Sequence, residues 1–349
     1  MWAPAIAVVL LLAAQGTAAP PAQVPPQEPA LAPVPPLPLP AFDVWLAELR
    51  AEAEARGIRP DVIERALTGI EPVAQILERD RTQAEFTYSL DAYLRRRLPP
   101  RTVRTAAEML RRHRALVDRV GKAYGVDPRL LIAVWGLESE FGRFAGVRPT
   151  MPTLATLAYD PRRGAMFRNE LFNALEIVER GDIELERLKG SWAGALGQPQ
   201  FMPSSYLRYA QDFDGDGRRD IWTSSPDVFA SIAYYLQQHG WQDGRTWGRE
   251  IRVPPEAEKA VAAVPLRTEG CRARRAMTVE QPLAAWRKLG LRTIARQPLP
   301  GAATMTASLI RDDSRAFLVY GNYEALLDYN CAHSYALSVA LLADRLPLK

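Results

Sequence analysis

Between Asp127 and Gly142 the chain reads Asp-Pro-Arg-Leu-Leu-Ile-Ala-Val-Trp-Gly-Leu-Glu-Ser-Glu-Phe-Gly. An Asp followed by Pro is a helix start, with the carboxylate capping the first turn and the proline placed where its missing N–H costs nothing. The helix that follows is apolar on nearly every side, so no face of it can be left to water and the fold must be built around it. It ends on an acid, Glu138. A carboxyl at the end of a buried helix loses hydration, and burial penalises the charged form most. Raising a glutamate from about 4.3 to about 6 or 7 takes roughly 2–4 kcal/mol, which partial burial supplies without a charged partner. Such an acid keeps its proton near neutrality and can donate it to a glycosidic oxygen. The competing reading is an ion pair between Glu138 and an arginine such as Arg143. Glu140 points elsewhere around the helix, so the two carboxyls do not share a task.

The chain has 349 residues, 48% of them hydrophobic and 24% charged. This implies roughly two domains with ample cores and argues against wholesale disorder, collagen-like repetition and a multi-span membrane protein. Lys and Arg exceed Asp and Glu by 44 − 40 = 4, interspersed rather than in tracts. Nucleic acid is therefore not an expected partner. His113, His239 and His333 are far apart in sequence, which supports neither a zinc triad nor a serine–histidine relay. No Gly-rich phosphate loop occurs.

The apolar run Ala5–Ala14, followed by Gly16, Thr17, Ala18 and Ala19, has the length of a signal-peptide core and a small-residue cleavage site, and is too short to span a bilayer. We read 1–19 as a signal peptide and the destination as the periplasm. No cysteine lies nearby to carry a lipid anchor. From Pro20 to Pro40 ten of twenty-one residues are proline, an extended spacer without a core. Helical periodicity starts at Phe42, Trp45, Leu46 and Leu49 and returns at Asp61–Leu67, Arg101–Tyr124, Met166–Arg180, Asp227–His239 and Ser334–Leu346. Alternation at Glu250–Val253 and Arg315–Tyr320, amid scattered Pro and Gly, reads as strands. The expected organisation is a helical domain at 41–125, a catalytic core at 126–245, a small β-containing subdomain at 246–320, and a C-terminal helix at 321–349 that returns to the core. The class is mainly α (α+β). Cys271 and Cys331 are the two cysteines. An oxidising compartment permits a bridge, and two buried thiols remain the alternative.

The segment Gly190-Ser191-Trp192-Ala193-Gly194-Ala195-Leu196-Gly197-Gln198-Pro199-Gln200-Phe201-Met202-Pro203-Ser204-Ser205-Tyr206 mixes small residues, which let backbone approach a ligand, with neutral hydrogen-bonding groups suited to sugars, Gln198 and Gln200 among them. Together with the Glu-x-x-x-Gly helix end at Glu138–Gly142, it resembles the lytic murein transglycosylase B family, and the likeness runs from about Phe42 to the C-terminus. The resemblance implies a lysozyme-like core with Glu138 as sole catalytic acid and base. It implies cleavage of the β-1,4 bond between N-acetylmuramic acid and N-acetylglucosamine in peptidoglycan, ending in a 1,6-anhydro ring. Ser191 would position the N-acetyl group, Gln200 would line the cleft, Tyr93 matches a front-domain tyrosine, and Tyr329, Asn330 and Tyr335 would close the site. A retaining glycosidase ordinarily needs a second carboxylate about 5 Å from the acid, and no motif supplies one, so the acetamide of the substrate takes that role.

Asp212-Phe213-Asp214-Gly215-Asp216-Gly217 matches the opening of an EF-hand loop. Its twelfth position is Thr223 rather than Glu. The resemblance implies a longer loop closed by Asp227, with Asp212, Asp214, Asp216 and Arg218 completing a structural Ca²⁺ site, the alternative being an Asp/Gly surface turn. No cofactor is expected for catalysis. The aromatics Trp222, Tyr234, Tyr235 and Trp241 are read as core rather than as a sugar platform. The expected enzyme is a monomer acting on glycan strands and working alongside other cell-wall enzymes. The alternatives are a catalytically idle peptidoglycan-binding protein and a hydrolytic muramidase.

Overall fold

The structure, a computed structural model, describes residues 39–82, 89–312 and 315–347. The leader expected at 1–19, and all but the last two residues of the spacer expected at 20–40, lie outside the described residues. The helices are α1 (Phe42–Ala55), α2 (Pro60–Leu67), α3 (Ala74–Thr82), α4 (Leu90–Arg97), α5 (Pro100–Arg112), α6 (Arg114–Tyr124) and α7 (Pro128–Ser139), followed by strand β1 (Arg148–Pro149), α8 (Thr150–Tyr159), α9 (Gly164–Glu179), strand β2 (Lys189–Gly190), α10 (Pro203–Tyr209) and α11 (Ser225–Gln238). Then come β3 (Gly248–Arg252), α12 (Glu258–Ala262), α13 (Arg272–Arg275), β4 (Gln281–Pro282), α14 (Leu283–Lys288), β5 (Arg292–Thr293), β6 (Thr306–Arg311), β7 (Ala316–Val319), α15 (Gly321–Tyr329) and α16 (His333–Asp344).

As its composition demands, α7 is wrapped on all sides: Leu130, Leu131, Ile132, Ala133, Val134, Trp135 and Leu137 are all buried. The core around it draws on α4 to α6, α11, α15 and α16. A second core joins α1, α2 and Ile76 of α3 to α8, α9 and α10. The front helices therefore have no core of their own: they divide between two hydrophobic clusters, and residues from Ala41 onward form one compact unit. The periodic stretch Arg101–Tyr124 is two helices, because at His113 (φ −100°, ψ 10°) the helix turns and the imidazole packs edge-on against Trp135 and Phe229.

A third core lies under an antiparallel sheet ordered β4-β6-β7-β3-β5, with Leu318 opposite both Leu309 and Arg249. The C-terminal segment corrects one expectation, since residues 321–347 hold two helices rather than one. The chain is extended at Asn330, between α15 and α16. The next residue, Cys331, is bridged to Cys271 just ahead of α13, with the two Cα atoms 6.5 Å apart. Arg274 reinforces the same junction by donating to Glu324 (2.8 Å) and Asp328 (2.7 Å) on α15.

Candidate active site

Asp127 caps α7 as its sequence predicts, accepting from the N–H of Arg129 (2.8 Å). The other end of the helix is unusual. Glu140, Phe141 and Gly142 all have positive φ (50°, 60° and 81°), so the chain turns out of the helix through three successive left-handed residues, two of which carry side chains. For the two with side chains such conformations cost about 1–3 kcal/mol each and persist where the surroundings enforce them. Here Ser139 does so in part, its hydroxyl donating to the Trp135 carbonyl (2.9 Å) and accepting from the N–H of Gly142 (3.0 Å).

Glu138 sits just before this turn, partly exposed, and burial of its carboxyl pushes its pKa up to about 7. Two groups pull in the other direction: first the Tyr335 hydroxyl, then the positive charge of Arg97. Among the described residues no carboxylate perturbs it and no ion pair joins it to Arg143. The Tyr335 hydroxyl lies against Glu138 but reaches full hydrogen-bond geometry with no group among the described residues, although it is buried. Its ring is stacked 6.2 Å from that of Tyr329. Tyr329 is committed elsewhere, donating to the Pro199 carbonyl (2.7 Å). The pKa of Tyr329 is driven well above the usual range by burial and by the nearby Glu138, so Glu138, Tyr329, Tyr335 and the Pro199–Gln200 turn gather in one place.

Gln200 stands at φ 56° and donates through Nε2 to the Gly197 carbonyl (2.8 Å). The Ser191 hydroxyl accepts from the N–H groups of Ala193 and Ala195 (3.3 and 3.2 Å), which shapes the loop leaving β2. That loop comes close because Gly146 permits it: at φ 105°, a Cβ there would lie 2.5 Å from the Gly190 Cα. Asn330 is exposed at the break between α15 and α16. Tyr93, half-buried on α4, precedes Arg97 by four residues and so shares its face. Arg97 in turn donates to the Leu137 carbonyl, next to Glu138.

Gln198 departs from its expected role. It is buried, and its side chain is a strut rather than a sugar contact. Its Oε1 accepts from the Trp135 indole (2.6 Å) and its Nε2 donates to the Trp222 carbonyl (2.7 Å). It thus ties α7 to the end of the acidic loop. Gly142 is pressed against it, since a Cβ there would meet Oε1 at 2.7 Å. Trp222 and Tyr235 are buried, as expected of core aromatics, while Tyr234 and Trp241 are half-buried.

In the acidic loop, carboxylate oxygens of Asp212, Asp214 and Asp227 lie within 4.8 Å of one another. Asp216 is not in this group, and its Oδ1 instead accepts from the N–H of Arg218 (2.8 Å). Asp227 is buried and accepts from the N–H groups of Phe213 (2.8 Å) and Asp220 (2.9 Å), which counter the upward push of burial on its pKa. This hard-oxygen donor set suits Ca²⁺.

With this geometry in place, comparison with known proteins defines the class. The transglycosylase SLT domain family matches residues 41–344, and the chain belongs to it. Over 153 residues, which are 44% of this chain and 42% of the relative, it is 36% identical to membrane-bound lytic murein transglycosylase B of Escherichia coli K12. The match thus spans less than half the length of that curated protein. Among solved structures, SltB3 from Pseudomonas aeruginosa in complex with NAG-anhNAM-pentapeptide superposes with a TM-score of 0.79 at 37% identity, covering 88% of this chain and 82% of that one. The Escherichia coli lytic transglycosylase Slt35 in complex with calcium gives 0.72 at 25% identity, covering 86% and 91%. These relatives are enzymes, and the mainly helical, lysozyme-like fold is theirs.

Proposed function

We propose that this protein is a peptidoglycan lytic transglycosylase that cleaves the bond between N-acetylmuramic acid and N-acetylglucosamine and leaves 1,6-anhydro ends, with Glu138 as its only acid and base. The observation that carries this reading is a carboxyl raised to about 7 by burial, with the Tyr335 hydroxyl against it and no second carboxylate among the described residues acting on it. Protonated Glu138 donates to the leaving glycosidic oxygen while the acetamide oxygen of the substrate attacks the anomeric carbon. The resulting carboxylate then takes the proton of the 6-hydroxyl, whose oxygen closes the anhydro ring and expels the acetamide. Tyr335 and Asn330 hold the acetamide for attack, a task of geometry rather than charge. Ser191, Gln200 and Tyr93 are assigned to the glycan, and Tyr329 to the wall behind Tyr335. A relative bound to NAG-anhNAM-pentapeptide supports the substrate class.

The same reading places the enzyme in the periplasm and gives Ca²⁺, if held by Asp212, Asp214 and Asp227, a bracing role away from the reaction. Among the described residues no helix is long and apolar enough to cross a membrane. Digesting purified peptidoglycan and weighing the products by mass spectrometry tests the proposal. Anhydro ends are expected. Reducing ends would mean a hydrolytic muramidase, and no release would mean an idle binding protein.

A further inference from the structure

Glu138 faces one side of the end of α7. Gly136, two residues earlier and so about 200° around the helix, faces another, and there a cavity of about 420 Å³ opens between α4, α5 and the turn after α7. It is lined by Arg96, Arg97, Arg101, Arg112 and Arg143, against a single acid, Glu140. Arg96 has a further interaction of its own, and the other four cations less one anion give +3. Counting Glu108, which pairs with Arg112 at 3.1 Å, leaves +2. Arg97 spends hydrogen bonds on the Leu137 carbonyl, and Arg143 lies 6.0 Å from the Phe144 ring. Neither contact cancels charge, although the charge of Arg97 also acts on Glu138. Guanidinium groups converging on a small concave space repel one another until an anion enters, and their planar forks match the oxygens of carboxylate and phosphate.

We propose that this cavity is an oxyanion-binding site behind the catalytic helix, filled by carboxylates of a peptidoglycan stem peptide or by a free phosphate-type anion. The stem-peptide source rests on the function proposed above, whereas the anion site itself does not. Two stretches of sequence, 96–112 and 136–143, build it, and the volume is that of a small-ligand pocket. The glycan is a different ligand, gathered on the Glu138 side of the helix.

The full chain is titrated at low ionic strength with inorganic phosphate and, separately, with free stem peptide released from the glycan, and heats of binding are recorded. Saturable binding of at least one probe is expected, weakening at least tenfold in the Arg101→Ser, Arg143→Ser double variant and falling as NaCl is added. Binding of the peptide alone assigns the site to the stem peptide, binding of phosphate alone to the free anion, and binding of both to the shared oxyanion chemistry. Both arginines are exposed, and an unshifted thermal melt shows that the variant folds. Should that variant fail to fold, the Arg101→Gln single variant is read in its place, with at least threefold weakening expected. Binding that does not saturate, or that is untouched by the substitutions, overturns the proposal. No turnover is measured, so failure of the glycan-cleaving reading gives a different signature.

Discussion

Replacing Glu138 by Gln should abolish glycan cleavage and, above neutral pH, make the protein more stable. The carboxyl stands at about 7 in the fold against an ordinary value of 4.5. At about 1.36 kcal/mol per unit that is about 3 kcal/mol, an upper bound because the residue is partly exposed and water screens it. The sign follows from the direction of the shift. Below pH 4.5 the carboxyl is protonated in both folded and unfolded chains, and Glu138 costs nothing relative to Gln. As pH rises from 4.5 to 7 the unfolded chain ionises first, native stability falls, and above 7 the folded state carries the full penalty. The difference in unfolding free energy between Glu138→Gln and the parent should therefore grow by up to about 3 kcal/mol between pH 4 and pH 8. Other titrating groups largely cancel in that difference. Guanidinium unfolding followed by tryptophan fluorescence at pH 4, 6 and 8 measures it. A difference that stays flat across this range refutes the claim that Glu138 is a desolvated acid.

Other parts of the fold make their own demands. Gln198→Leu strands the Trp135 indole N–H and the Trp222 carbonyl, so a loss of about 2 kcal/mol or more is expected in denaturant unfolding, together with a drop in kcat at unchanged KM. Serine at Cys271 and Cys331 opens a crosslink spanning 60 residues, worth about 4 kcal/mol by chain entropy, and the variant should melt well below the parent. Calcium should raise the melting temperature relative to chelator, by the equivalent of about 2.7 kcal/mol at a hundredfold excess over Kd, and Asp214→Asn should remove the shift.

The central helix was fully legible, because a run of apolar residues on every face of a helix admits one placement. So was the dense Gly/Ala loop, whose residue types announce close backbone approach. The break at His113 was not, since the periodicity continues through it and the cause is an imidazole packing on rings 22 and 116 residues away in sequence. Strand β6 escaped the alternation test because Ala307, Ser308, Leu309 and Ile310 are all buried, and a strand covered on both faces loses its period of two. Gln198 was mistaken for a sugar contact because a glutamine side chain can serve ligand and scaffold alike, and only its two indole-bearing neighbours decide. Arg97 carried no local signal at all, as its carbonyl partner lies 40 residues on.

The hydroxyl of Tyr335 also bears on selectivity. It lies against Glu138 without reaching full hydrogen-bond geometry, so a ligand oxygen brought to that spot completes its hydrogen bonding, a gain of about 1 kcal/mol. On the proposed reading, strands stripped of their acetyl groups would lose that contact and be processed roughly two- to tenfold more slowly than acetylated ones, quite apart from losing their internal nucleophile.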